Sequence, residues 1–155
     1  MKLRLCLSGK LRKGPELELF NKYLLRSEKI GKLINFSSID IIEYHGLDWT
    51  KVLLEQGSSK RFPLNSIKVL LDENGKNISS KVFSDVLRSQ RDNGTSEIVF
   101  FVGGAEGVPE RVKDKFDEII SFGKMVWPHL FVRIMLMEQI YRASTIIAGL
   151  PYHKD

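Results

Sequence analysis

Glu97-Ile98-Val99-Phe100-Phe101-Val102 runs straight into Gly103-Gly104-Ala105-Glu106-Gly107. Five consecutive β-branched or aromatic residues, Ile98 to Val102, leave no polar face. A strand of that kind is buried on both sides, as in a parallel sheet covered by helices. Ligands of open α/β sheets bind beyond the carboxyl ends of the strands. A glycine turn at such an end lets a ligand approach the backbone without meeting a Cβ. Pro109 suits the first turn of a helix, and Val108, Val112 and Phe116 recur every four residues, so the pattern predicts a helix directly after the glycines.

Working outward in both directions, strands and helices alternate. Lys2–Leu7 alternates charged and apolar residues and reads as a first strand, followed by a turn at Ser8-Gly9-Lys10. Pro15, Glu16 and Glu18 open a helix with Leu17, Phe20, Tyr23 and Leu24 on one face, ended by Gly31. Ile39–Tyr44 reads as a second strand, and Asp48 caps a short helix over Trp49–Gln56. Gly57-Ser58-Ser59-Lys60-Arg61-Phe62-Pro63 reads as a polar loop. Ile67–Leu71 is a third strand ending at Asp72, with a turn at Asn74-Gly75. Ser79 or Ser80 caps a helix whose stripe is Val82, Phe83, Val86 and Leu87, and Asn93-Gly94 stops it. Ile119-Ile120-Ser121 begins as a strand and opens into a loop at Gly123. The expected fold class is α/β, a mostly parallel sheet flanked by helices.

Pro128 starts the last helix. From Leu130 to Ala148 its polar residues are Arg133, Glu138, Gln139, Arg142, Ser144 and Thr145. At about 100° per residue they scatter around the axis, so the helix needs cover on more than one side. A second subunit is the natural cover in a domain this small, which predicts a homodimer. Gly149 ends the helix and Tyr152-His153-Lys154 lies in the tail.

The 155 residues are expected to form one domain, 1–155, with an ordinary apolar fraction of 43%. The single cysteine, Cys6, excludes an internal disulfide and any multi-cysteine zinc site, and no metal is expected. The charged start Met1-Lys2-Leu3-Arg4 does not read as a signal peptide. With no run of eighteen apolar residues, neither a membrane span nor membrane attachment is expected, and a cytoplasmic location is. A net charge of +5 and a pI of about 9.3 permit a polyanionic partner. No G-x-G-x-x-G follows the first strand, which disfavours a Rossmann-type nucleotide enzyme.

Several short motifs occur in order: Leu71-Asp72 with Gly75, Gly103-Gly104-Ala105-Glu106-Gly107, Ser121-Phe122-Gly123-Lys124-Met125 and Trp127-Pro128-His129. Arg133, Glu138-Gln139-Ile140-Tyr141-Arg142-Ala143 and Tyr152-His153-Lys154 follow. Together they resemble the ribosomal large-subunit (23S rRNA) pseudouridine N3-methyltransferase family of the SPOUT class, over essentially the full length. The segment Leu47–Pro63 departs from the family pattern by being shorter.

The resemblance implies transfer of a methyl group from S-adenosylmethionine to N3 of a pseudouridine in large-subunit ribosomal RNA. It also implies a C-terminal trefoil knot and an obligate homodimer. By the same likeness Leu71, Gly103, Phe122, Gly123, Lys124, Met125, Val126 and Trp127 line the cofactor pocket. His153 and Arg142 are the candidate catalytic residues, and Arg133, Tyr152 and Lys154 the candidate RNA contacts. Physical reading runs alongside: Leu71, Val126 and an aromatic ring offer apolar surface to adenine. A base that takes the N3 proton must reach that nitrogen directly or through one water, and His153, first, and His129 are the candidates for that role. With no appended RNA-binding domain visible, recognition is expected to rest on RNA shape and phosphates, on the assembled ribosome. The competing readings are a SPOUT-class enzyme acting on another RNA such as transfer RNA, and a non-catalytic RNA-binding dimer module.

Overall fold

A computed structural model of the protein describes residues 1–54 and 62–154. Five strands, β1 (Lys2–Ser8), β2 (Ile39–Tyr44), β3 (Ser66–Asn77), β4 (Glu97–Val102) and β5 (Glu118–Ser121), form one parallel sheet in the order β2-β1-β4-β3-β5. Among the described residues four α-helices connect and cover it: α1 (Pro15–Gly31), α2 (Asp48–Leu54), α3 (Ser80–Asp92) and α4 (His129–Ile147). The expected sheet class is therefore observed. Residues 57–61 of the expected polar loop, and the end of the expected helix at Glu55 and Gln56, lie outside the described residues.

β4 is central, and all six of its residues are buried. Alternation divides the sheet into two cores. Leu3, Leu5, Leu7, Ile98, Phe100 and Val102 share a cluster with residues of α1, α3 and α4. Cys6, Val99 and Phe101 share the other with Trp49 of α2. Each large apolar side chain so buried contributes about 2 kcal/mol. Glu97 is the polar exception in β4; it pairs with Arg4 at 3.0 Å, and burial pushes its carboxyl pKa upward.

Three expectations need correction. The segment after the glycines is a 3-10 helix, Glu110–Lys115, not an α-helix. Pro109 stands just before it, and Phe116 returns to extended backbone. There its ring packs 5.3 Å from Phe101 and 6.1 Å from Trp49. That aromatic contact on the α2 side outweighs the i, i+4 pattern that placed Phe116 on a helix. Secondly, β3 does not end at Asp72. It continues to Asn77 through a register shift, so both Leu71 and Lys76 pair with Ile120. Gly75 makes this possible: a Cβ there would lie 2.5 Å from the carbonyl carbon of Ile120. Thirdly, the α3 stripe splits. Phe83 and Leu87 are buried, whereas Val82 and Val86 are exposed. Ser79 caps α3 by accepting from the Val82 N–H at 3.2 Å.

Helix α4 lies against α1 and α3, and Leu136, Met137, Ile140 and Ala143 enter the core. Ser84 Oγ donates to the Ala143 carbonyl at 3.4 Å where α3 and α4 meet. Among the described residues no helix is long and apolar enough to cross a membrane.

Candidate active site

The carboxyl ends of β3, β4 and β5 surround a cavity of about 700 Å³. Its floor is Leu71, Val102 and Ile120; its sides are the Gly103–Val108 turn and the loop Phe122–Pro128. Of the residues expected at a cofactor, Leu71, Gly103, Phe122, Gly123, Met125, Val126 and Trp127 line it. Lys124, between two lining residues, is exposed and is not part of the wall.

The loop is shaped by Gly123, whose φ of +115° lies in a region that L side chains rarely adopt. Ser121 closes the turn: its hydroxyl donates to the Gly123 carbonyl at 2.7 Å and accepts from the Gly123 N–H at 3.1 Å. Met125, Val126, Trp127 and, on α4, Phe131 leave an exposed apolar patch beside the cavity. Asp72 and Glu73 bring carboxylates to the wall. Asp72 is held by Lys113 at 3.3 Å and by the Asn74 N–H at 3.0 Å. Glu73 is a lining residue that the family motifs did not include, whereas Asp72 and His129 belong to those motifs without having been expected at the cofactor.

His129 and Val132, in the first turn of α4, complete the wall. Burial, and then the nearby Arg133 cation, push the His129 pKa below its ordinary value. The imidazole is thus neutral at physiological pH. Arg133 itself is fully buried. Its guanidinium donates to the carbonyl oxygen of Gly9 at 3.2 Å and to that of Ser8. An RNA contact was expected of Arg133, but this geometry gives it a different task within the chain. It fastens the start of α4 to the end of β1, next to the glycine turn. A Cβ on Gly104 would come within 3.7 Å of Ser8 Cβ.

The expected catalytic pair sits elsewhere. Glu138 collects four donors among the described residues: Arg142 Nε at 3.0 Å, Arg142 Nη2 at 2.5 Å, the Tyr152 hydroxyl at 3.1 Å and Gln139 Nε2 at 2.7 Å. Hydrogen bonding to Glu138 raises the Arg142 pKa further, so the guanidinium stays charged. Burial and a hydrogen bond with Tyr23 raise that of Tyr152. Arg142 also lies 4.8 Å over the Tyr152 ring, which packs on Tyr141 at 4.6 Å. Arg142 Nη1 meets His153 Nδ1 at 3.3 Å. An arginine only donates, so in this contact Nδ1 is the acceptor. Lys154 follows, exposed. None of Glu138, Arg142, Tyr152 or His153 lines the 700 Å³ cavity. Along α4 the thirteen residues from His129 to Arg142 correspond to about 20 Å. Glu138 borders a second cavity of about 410 Å³, which shares Ile120, Ser121 and Phe122 with the first. Among the described residues no His, Cys, Asp or Glu cluster is suited to a metal ion.

A parallel α/β sheet with a glycine-walled cavity across its strand ends defines a protein built to hold a small molecule there. The chain belongs to the SPOUT methyltransferase family: the family described as "Predicted SPOUT methyltransferase" matches residues 1–153. It is 41% identical over 159 aligned residues to the "Ribosomal RNA large subunit methyltransferase H" of Cereibacter sphaeroides, with 99% of each chain covered. The protein of the same name from Dinoroseobacter shibae is 39% identical over 155 residues, again with 99% of each chain covered. A crystal structure of the SpoU methyltransferase AviRb from Streptomyces viridochromogenes in complex with AdoMet aligns with 92% of this chain and 57% of that one. The TM-score is 0.43 and the identity 8%.

Proposed function

We propose that this protein is an S-adenosylmethionine-dependent methyltransferase that methylates N3 of a pseudouridine in large-subunit ribosomal RNA. In this reading it acts as a knotted homodimer on the assembled ribosome. The observation that carries the reading is the 700 Å³ cavity, walled by family-motif residues, in a chain with full-length relatives named for methylating large-subunit RNA.

The cavity fits the cofactor. Leu71, Val126 and the Phe122 or Trp127 ring offer apolar surface to adenine, and backbone groups of the Phe122–Trp127 loop read its edge. Asp72 and Glu73 accept from hydroxyl or ammonium groups and suit a cationic ligand. Bound there, S-adenosylmethionine supplies a methyl group on a sulfonium that leaves readily, so alignment of donor and acceptor is the main task.

The N3 proton of the pyrimidine passes to solvent water before or during attack, as the methyl group bonds to N3 and the C–S bond to the sulfonium breaks. A charged Arg142, with His153 beside it, stabilises negative charge that develops on the ring oxygens as N3 loses its proton. As long as Arg142 occupies Nδ1, that nitrogen is not open to accept the N3 proton. Tyr152 holds Glu138, and Glu138 holds Arg142, so the group is positioned before substrate arrives.

One protomer keeps this tail group and its own cavity apart, so the complete site takes its cavity from one copy and its tail from the other. The exposed apolar patch of Met125, Val126, Trp127 and Phe131 beside the cavity supports a subunit contact there. The test mixes two variants. Gly103→Trp blocks the cavity and His153→Ala removes the tail imidazole, and each alone is expected to be inactive on ribosomes. Unfolded and refolded together, they form mixed dimers with one intact site and regain about a quarter of wild-type activity, from the binomial share of such dimers. No recovery in a mixture that does form mixed dimers rejects the shared site.

A further inference from the structure

The chain has 24 Lys and Arg against 19 Asp and Glu, but the excess is unevenly placed. Residues 10–32 hold seven cations, Lys10, Arg12, Lys13, Lys22, Arg26, Lys29 and Lys32, against three acids, Glu16, Glu18 and Glu28. Four of the five excess positive charges therefore fall within residues 10–32, from the loop after β1 to Lys32, the first residue beyond α1. Three of the cations crowd into four residues of the β1–α1 loop, just before the acids of the first helical turn.

That loop is held firmly. Gly9 N–H donates to the Tyr44 carbonyl at 2.6 Å, and the Gly9 carbonyl accepts from Arg133. Leu11 packs against the core, and its N–H donates to Glu43 Oε1 at 3.2 Å. At the far end the Gly14 carbonyl accepts the Glu18 N–H at 3.1 Å. Between these anchors Lys10, Arg12 and Lys13 stand exposed, and among the described residues none of the three forms an ion pair. Pinned backbone with unpaired, outward cations is an arrangement for meeting anions at low ordering cost.

Its location gives the anion a source. The loop leaves β1 at Ser8, beside the Gly103-Gly104 wall of the cavity. Arg133, which grips its first residue, belongs to the same helical turn as cavity-lining His129 and Val132. A nucleotide placed in reach of that cavity carries its neighbouring phosphates past this loop.

We propose that the Gly9–Gly14 loop is an RNA phosphate clamp: Lys10, Arg12 and Lys13 bind the phosphodiester backbone flanking the target nucleotide, with Lys22 and Lys29 of α1 extending the track. This rests on the reading of the chain as a ribosomal RNA methyltransferase. Phosphate contacts of this kind fix register and carry no sequence information. Each releases counterions, so binding weakens with salt in proportion to the number of contacts.

The experiment compares wild type with Lys10→Ala/Arg12→Ala/Lys13→Ala for binding to purified large ribosomal subunits across a salt series. The triple variant is expected to lose about tenfold or more in affinity at 0.1 M salt, and its log–log salt slope to fall by about 2–3. S-adenosylmethionine affinity by calorimetry is expected to be unchanged. The charge-keeping set Lys10→Arg/Arg12→Lys/Lys13→Arg is expected to bind within about threefold of wild type. An unchanged salt slope in the alanine variant overturns the clamp, as does equal weakening in both sets. If the wild-type protein transfers no methyl group to these particles, the functional reading falls, while the binding series still decides the loop.

Discussion

Arg133 and Gly9 lie 124 positions apart in the chain, yet the guanidinium of one donates to the carbonyl of the other at 3.2 Å. The same group binds Ser8, and its Nε is buried without a hydrogen-bond partner among the described residues. Through this link the first turn of the last helix is tied to the end of the first strand, across the base of the cavity.

Arg133→Met keeps apolar bulk and removes the donors. Two buried carbonyls then lose their charged partner, at a cost of about 3 kcal/mol. In a chain of this size that lowers the melting temperature by about 6–12 °C, read by circular dichroism. Arg133→Lys, with a point charge in place of a fork, is expected to fall between the two. A melting temperature within 2 °C of wild type for Arg133→Met contradicts the tie.

Gly75→Ala tests how β3 passes β5. The added methyl meets the main chain of Ile119 and Ile120 at 2.5–2.8 Å, and backbone on both sides has no rotamer to give. The expected loss is more than about 2 kcal/mol in urea unfolding, as for other strained overpacking. Ile120 is also cavity floor, so cofactor affinity falls with stability. Wild-type stability and wild-type affinity together in this variant rule out the observed strand crossing.

Gly103→Val separates space from stability. Its Cβ meets only the Val108 side chain, at 2.9 Å, which can shift. The fold is therefore expected to survive while the cavity shrinks. Calorimetric titration with S-adenosylmethionine is expected to show at least a tenfold loss of affinity, equal to about 1.4 kcal/mol. Equal affinity removes Gly103 from the binding wall.

Much of this was legible beforehand, for reasons particular to each element. Glu97–Val102 announced a doubly buried strand because nothing polar interrupts Ile98 to Val102. The motif residues of the Phe122–Trp127 loop announced the cavity wall by likeness, although Lys124 is exposed and does not line it. Other features depend on distant partners that no local pattern records. Phe116 leaves the helical pattern for an aromatic cluster with Trp49 and Phe101. The continuation of β3 past Asp72 depends on Ile120, 45 residues beyond Gly75. Arg133 was expected to contact RNA, and its burial went unread because its partners are main-chain carbonyls, which carry no sequence signature. The proposed knot is equally silent, since hydrophobic periodicity does not encode threading.

His129 gives the pH dependence a sign. Its pKa is depressed in the folded protein, by burial first and by Arg133 second, from an ordinary value of about 6.5. The unfolded chain therefore binds this proton more readily than the folded one. A depressed folded pKa means its contribution is fully present above pH 6.5 and is lost as pH falls through the folded value. Wild type is thus expected to lose stability from about pH 6.5 downward, by a part that His129→Gln does not share. Because the imidazole lines the cavity, its protonation also places a second cation beside a cationic ligand, so S-adenosylmethionine affinity falls over the same range. Parallel denaturation and calorimetry between pH 5 and 8 read both effects. Superimposable pH profiles for wild type and His129→Gln, in stability and in affinity, contradict a neutral His129 held between the cavity and Arg133.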